Sequence, residues 1–158
     1  MSVSLPPFQR FLDAHRDDVW RFLVASVGPD AAEDCFQETF LSALRAYPRL
    51  RADSNARAWV LTIAYRKALD YHRARTRRAI PVEAVPDVAA SPGPELEPQD
   101  GVWERVRELP PKQRAALLLR FAGDLSHREV AAALGCSEEA ARRSAHEGLK
   151  KLREEITR

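Results

Sequence analysis

Between Arg45 and Arg78 the chain carries ten basic residues against two acidic ones, interleaved with Trp59, Tyr65 and Tyr71. Cationic side chains at that density neutralise phosphates, and aromatic rings among them stack on unpaired bases, so the segment suits a nucleic-acid backbone whose bases are splayed out. A second constellation spans residues 126–144, where a short helical signal, the glycine turn Leu134-Gly135-Cys136 and a longer helical signal follow one another. Small Ala131 stands where two helices must cross closely, and Val130, Leu134, Cys136 and Ala141 take inward positions. This is helix-turn-helix spacing, which lifts the second helix clear of the first so that it enters a major groove about 12 Å wide. Its candidate reading face is Glu138, Glu139, Arg142, Arg143 and His146, with Arg142 or Arg143 suited to a bidentate contact with guanine. Ser126, His127 and Arg128 open the preceding helix and suit phosphates. A plain helical hairpin that uses Gly135 only as a cap is the alternative. No catalytic set emerges: Cys35 and His127 fall in different predicted domains, His72 lies in an arginine run, and no glycine-rich phosphate loop or metal-ligand cluster is present. No enzyme activity, cofactor or metal is expected.

The chain has 158 residues, 25 Lys+Arg, 23 Asp+Glu and 11 prolines, enough for one ordinary domain or two small ones. Its net charge of +2 conceals three unlike pieces. Residues 1–80 hold 13 basic and 9 acidic residues, residues 81–101 hold none and 5, and residues 102–158 hold 12 and 9. Within the first piece, Asp13 to Glu38 has seven acids against two bases, so one end is acidic and the other strongly basic. Residues 81–101 contain five prolines and show no periodicity, and they read as an acidic, proline-rich flexible linker. Such a coil averages about 25 Å end to end, reaches about 65 Å when extended, and would tether its two domains with considerable freedom. No stretch approaches a membrane span and the start lacks a signal peptide, so a cytoplasmic protein without membrane contact is expected. Cys35 and Cys136 have no CxxC partner and read as buried thiols.

The apolar spacing predicts an all-α fold. Phe8, Phe11, Leu12, His15, Val19, Phe22, Leu23 and Ser26 mark a first helix stopped by Gly28-Pro29. Asp30 with Glu33 reads as a capping box for a second, whose stripe is Cys35, Phe36, Phe40, Ala43, Leu44 and Tyr47 before Pro48 ends it. A third begins near Ser54-Asn55 and sends Ala56, Trp59, Val60 and Ile63 inward before turning arginine-rich. Beyond the linker, Val102, Trp103, Val106 and Leu109 form a short helix, and Pro111 starts another through Leu117, Leu118 and Phe121 that Gly123 closes. Ser126 with Glu129 is a capping box, and Ser137 caps the last helix.

With these residues in hand, the chain resembles an RNA polymerase sigma factor of the sigma-70 family, in its compact extracytoplasmic-function (ECF) group. The resemblance is carried by the run from Asp30 to Tyr47, by Ala58-Trp-Val-Leu-Thr-Ile-Ala64 leading to Ala68-Leu-Asp-Tyr-His-Arg73, and by Leu109 to Arg120 with Leu125-Ser-His-Arg-Glu-Val-Ala131. It implies a sigma region 2-like domain over residues 1–80, the linker over 81–101, and a sigma region 4-like helix-turn-helix domain over 102–158. The implied activity is transcription initiation: binding core RNA polymerase, directing it to promoters and assisting melting.

The resemblance also implies roles. Asp34, Gln37, Glu38, Thr39 and Arg45 would dock on the largest polymerase subunit, and contacts with the second-largest subunit are expected as well. Arg49, Ser54, Asn55, Arg57, Tyr65, Arg66, Lys67, Tyr71, Arg73 and Arg75 would hold the melted minus-ten element, with Trp59 in the core. Ser126, His127, Arg128, Ser137, Glu138, Glu139, Arg142, Arg143 and His146 would read the minus-thirty-five element. The linker would run through the polymerase towards its RNA channel, with the factor nucleoid-associated as holoenzyme. Control is expected from a separate anti-sigma protein. Arg66 stands where such factors commonly carry an asparagine beside the flipped minus-ten base, a departure that bears on the base preferred there. Glu147 and Gly148 leave the last helix less basic than the family's, and Gly148 costs it roughly 1 kcal/mol against alanine. Two other readings compete. A sigma-like decoy that only sequesters an anti-sigma protein leaves the ten bases without a use, and an ordinary helix-turn-helix repressor leaves the first domain unexplained.

Overall fold

The computed structural model describes residues 4–77 and 102–157, and of Trp103 the backbone alone. The reading of residues 81–101 as a linker lies outside the described residues, as does the side chain of Trp103. Seven α-helices run α1 (Phe8–Val27), α2 (Pro29–Ala46), α3 (Ala56–Arg77), α4 (Val102–Glu108), α5 (Pro111–Phe121), α6 (His127–Leu134) and α7 (Glu138–Ile156), with no strand among the described residues. Helices α1 to α3 pack on one another as a first lobe, and α4 to α7 form a second in which α5 and α6 both rest on α7.

Helix α1 turns directly into α2 through Gly28, because Pro29 supplies the fixed φ and the missing N–H that suit a first helical position. Helix α2 therefore starts earlier than the sequence suggests, and the expected Asp30/Glu33 capping box does not form: the cap is Gly28, with no side-chain hydrogen bond. Asp30 sits in the first turn, where its charge favours the helix dipole. Val19, Phe22 and Leu23 of α1 are fully buried, together with Ala32 and Ala43 of α2 and Val60, Leu61 and Ala64 of α3. Leu44, assigned inward by its spacing, is 50% exposed instead. The chain leaves α2 through a 3-10 turn, Tyr47–Arg49, which swings Tyr47 under the end of α1. There the Tyr47 hydroxyl donates to the Pro6 carbonyl, and the ring packs with Phe8, Phe11 and Trp59. Trp59 is thus a member of an aromatic cluster, with its ring 5.7 Å from that of Phe11.

In the second lobe, Val106, Leu109, Leu117, Leu118, Leu119, Leu125, Val130, Ala141, Ala145 and Leu152 make the core. Phe121 departs from the expected inward position and is 60% exposed, with the Arg120 guanidinium 5.9 Å from its ring centre. After α5 the left-handed residue is Asp124, at φ 53°, and not Gly123. Gly123 serves close approach: a Cβ there would lie 2.7 Å from Leu125 Cδ1, 2.8 Å from the Leu119 carbonyl oxygen and 2.9 Å from Leu61 Cδ1. Gly148 has the same kind of reason, since a Cβ on it would fall 3.2 Å from the Gln113 carbonyl oxygen. What looked like a helix-weakening residue is the point where α7 meets the start of α5.

The two lobes are not merely tethered. Helix α1 packs against α4 and α5, and α3 touches α6, so the buried apolar residues form one continuous cluster. Free tethering by the linker is the sequence expectation, and it differs from this arrangement. The reason is that Leu61 and Leu125, fully or almost fully buried, come together over Gly123 at the seam.

Two histidines make stability sensitive to acid. His15, its ring tilted against that of Phe11 with centres 5.0 Å apart, and His72, whose Nε2 lies 3.0 Å from the Ser26 carbonyl oxygen, both titrate below the usual imidazole value, in each case chiefly because burial disfavours the charged ring. For His15 the Arg57 charge adds to this against Asp18, and for His72 Arg114 and Arg75 add to it against the Ser26 hydrogen bond. A depressed folded-state pKa means that the folded state disfavours the proton. Its contribution is present above the unfolded value of about 6.5 and is lost as pH falls through the folded value. The urea midpoint is therefore expected to hold steady above pH 7 and to decline between pH 7 and 5.5, with a shallower decline in His72→Gln.

Candidate polymerase and promoter surfaces

On α2, Asp34, Gln37 and Glu38 are exposed, and Arg45 is exposed near the helix end. The carboxylates at positions 34 and 38 are one helical turn apart and share a face. Their field reaches inward: Cys35 is pushed up to about 11, first by burial and then by Glu38 and Asp34. Thr39 does not belong to this surface. It is fully buried and its hydroxyl donates to the Cys35 carbonyl at 2.6 Å, so a docking role is withdrawn from it: a threonine on the core side of the helix bonds its own backbone one turn back. Beside the acids runs an apolar groove lined by Phe8, Leu12, Phe36, Phe40, Leu41 and Leu44, in which Leu41 is 52% exposed. The sequence reading missed Leu41 and placed Leu44 inward, and only the fold shows that the two leucines are exposed together.

Helix α3 is capped by Asn55, whose Oδ1 accepts from the Ala58 amide at 3.1 Å. Its far half presents Arg66, Arg73, Arg75 and Arg77 to solvent, with Arg49 and Ser54 exposed before it. Arg75 Nη1 donates to the Tyr71 hydroxyl at 3.3 Å, holding a cation beside a half-buried ring as a phosphate-and-base site requires. Lys67 is half-buried, and its charge acts on Cys35. Tyr65 is half-buried, and burial raises its pKa foremost, against the charges of Arg73 and of Arg114 in the second lobe. Arg57 and Asn55 face that lobe and make contacts across the seam.

In the second lobe the expected capping box is present, with the Glu129 amide donating to Ser126 Oγ at 3.1 Å and the Ser126 amide to Glu129 Oε1 at 3.0 Å. Gly135 closes α6 at φ 68°, a left-handed conformation that glycine adopts without cost. Ser137 then caps α7 by accepting from the Ala140 amide at 3.1 Å. Ala141, Ala145, Gly148 and Leu152 are the buried stripe of α7. Glu138, Glu139, Arg142, Arg143 and His146 are accordingly all exposed, and Arg142 lies 3.3 Å from the Glu138 carboxylate. Arg128 and Ser126 are exposed at the start of α6, while His127 is half-buried and its Nδ1 has no hydrogen-bond partner. Glu147 accepts from Gln113 Nε2 at 3.3 Å, which ties that acid to α5. Among the described residues no group of three or more His, Cys, Asp or Glu is placed to hold a metal ion, and no helix is long and apolar enough to cross a membrane.

An acidic helix, a basic aromatic helix and a helix-turn-helix stand together in one all-α chain, the helix-turn-helix being of the DNA-binding kind. Known proteins share its fold and part of its sequence. Sigma-70 region 2 matches residues 11–78 and Sigma-70, region 4 matches residues 99–152. The ECF RNA polymerase sigma factor SigD of Mycobacterium tuberculosis is 36% identical, over 92% of this chain and 74% of its own length. SigX of Bacillus subtilis is 32% identical, over 94% and 83%. Among solved structures, the sigma factor RpoE of Bartonella quintana, in complex with the anti-sigma factor NepR, superposes with a TM-score of 0.79 at 25% identity, covering 95% of this chain and 96% of that one. The chain belongs to the sigma-70 family of RNA polymerase sigma factors, in its ECF group, and is a transcription initiation factor.

Proposed function

We propose that Asp34, Gln37, Glu38 and Arg45 of α2 dock on the largest subunit of core polymerase, with Leu41 and Leu44 seated in the same contact. The observation that carries this reading is the exposure of two carboxylates and two leucines on one helix of an otherwise well-buried lobe. Arg49, Ser54, Asn55, Arg57, Tyr65, Arg66, Lys67, Tyr71, Arg73 and Arg75 hold the melted minus-ten strand, cations on phosphates and rings on bases. Helix α7 enters the major groove of the minus-thirty-five element with Glu138, Glu139, Arg142, Arg143 and His146, while Ser126, His127, Arg128 and Ser137 meet its backbone. The second-largest subunit receives the second lobe, the factor works in the cytoplasm and on the nucleoid as holoenzyme, and a separate anti-sigma protein restrains it, as NepR is bound to RpoE in the similar structure.

Permanganate footprinting of holoenzyme on the chain's own upstream promoter tests the division of labour. Reactive thymines are expected in the minus-ten element alone, together with protection centred about two duplex turns upstream; protection without reactive thymines would contradict the role of α3. In the same assay Arg142→Ala or Arg143→Ala is expected to cost roughly 1–3 kcal/mol at one base pair and to relax preference there. Lys150→Ala is expected to weaken all sequences alike. Because Glu147 is held on α5 and adds no positive charge to α7, Arg73→Ala/Arg75→Ala is expected to weaken promoter binding more than Arg142→Ala/Arg143→Ala.

A further inference from the structure

His72 stands amid the arginines of α3, yet its ring is half-buried and tied to another helix. Its Nε2 lies 3.0 Å from the Ser26 carbonyl oxygen. A carbonyl only accepts, so Nε2 carries the hydrogen and donates it. Ser26 belongs to the last turn of α1, whose carbonyls have no partner within their own helix, and the imidazole satisfies an acceptor that the helix end leaves open. Beyond Ala68, the last buried residue of α3, the helix runs on to Arg77 with its side chains half-buried or exposed. The His72 bond is thus a tether to α1 where core packing thins out. Beside it the Tyr71 ring meets the imidazole edge to face, with centres 5.4 Å apart and planes at 64°. Neighbouring side chains on a helix point about 100° apart and do not ordinarily face each other, so this contact needs both rings held.

We propose that His72 is a positioning residue of the minus-ten surface: by donating to the Ser26 carbonyl it pins the far end of α3 to α1 and sets the Tyr71 ring where an unpaired base stacks. The inference rests on the reading of Tyr71 as a base contact. A stacking ring serves best when its plane is fixed before the strand arrives, since ordering a loose side chain at that moment costs affinity. Tyr71 has three restraints: the core on one side, Arg75 at its hydroxyl and His72 at its edge. Arg75 is exposed and free to leave the hydroxyl for a phosphate, whereas the bond from His72 to Ser26 is partly buried and stays. The His72 donor is aimed at α1 and not at the strand, so its effect passes through Tyr71.

Holoenzyme is titrated by filter binding against a template of the chain's own upstream promoter whose minus-ten element is held unpaired as a bubble. Tyr71→Ala is expected to weaken binding about tenfold, the loss of one stacked base. His72→Leu keeps the apolar volume without the donor and is expected to cost about fourfold, the worth of one hydrogen bond. His72→Asn, too short to reach the carbonyl, should match it, and serves alone if the leucine variant does not fold. His72→Gln, whose amide nitrogen reaches the same carbonyl, is expected to restore wild-type affinity. Tyr71→Ala/His72→Leu should bind no more weakly than Tyr71→Ala, because an absent ring cannot be misplaced. Wild-type affinity in His72→Leu and His72→Asn, failure of His72→Gln to restore binding, or a fourfold loss that persists in the Tyr71→Ala background each overturns the proposal. Wild-type affinity in Tyr71→Ala overturns it from the other side, by removing the stacking reading on which it rests.

Discussion

Reversing Asp34 and Glu38 to lysine is expected to lower affinity for core polymerase by about thirtyfold or more while leaving helical content unchanged. Both side chains are exposed and bear no part of the core, so their replacement leaves the packing of α2 on α1 and α3 intact. At a docked surface each acid loses its water and faces a cation, and breaking one such pair typically costs about 2–5 kcal/mol, much of it the penalty of leaving the partner charge buried and unpaired. A fluorescence titration of core polymerase measures the effect. The same variant offers an internal check, because the Cys35 thiol is held up partly by these two carboxylates and would titrate lower without them. Wild-type affinity in this variant removes the docking role of α2.

Phe22→Ala is expected to be the most damaging single truncation for stability. The ring is fully buried in α1 with Val19 and Leu23. Loss of the ring and the residual cavity together cost about 3–5 kcal/mol. For a chain of this size that lowers the thermal midpoint by about 10 °C, read by far-ultraviolet circular dichroism. A drop of under about 2 °C would mean that the lobe repacks and that its core is less specified than its burial indicates.

Much of this was legible in the residues. The helices lie where three-and-four spacing placed them, and Ser126, Glu129, Gly135 and Ser137 perform the capping assigned to them, because caps depend on neighbours within one turn. Apart from the Asp30/Glu33 cap, which the direct turn through Gly28 and Pro29 displaces, the misreadings are tertiary. Thr39 fell on an acidic helix and was read as surface, but its position in α2 points into α1 and α3. Phe121 was read as core from its spacing after Leu117 and Leu118, yet it ends α5 at the rim of a groove it shares with Leu149 and Leu152 of α7 and stays 60% exposed. Gly148 read as a weakness because helix propensity is a property of an isolated helix, and the approach of the Gln113 carbonyl is not. The seam was least accessible of all. Leu61 and Leu125 lie 64 positions apart on either side of a proline-rich stretch, and no local pattern indicates that they meet.

Run-off transcription with core polymerase and this protein alone, on a template carrying the chain's own upstream promoter, tests the central claim most directly. A discrete transcript that requires the protein, and that disappears with Asp34→Lys/Glu38→Lys, is the predicted result. Equal transcription with and without the protein, or silence on a promoter the holoenzyme is shown to bind, would contradict its assignment as an initiation factor.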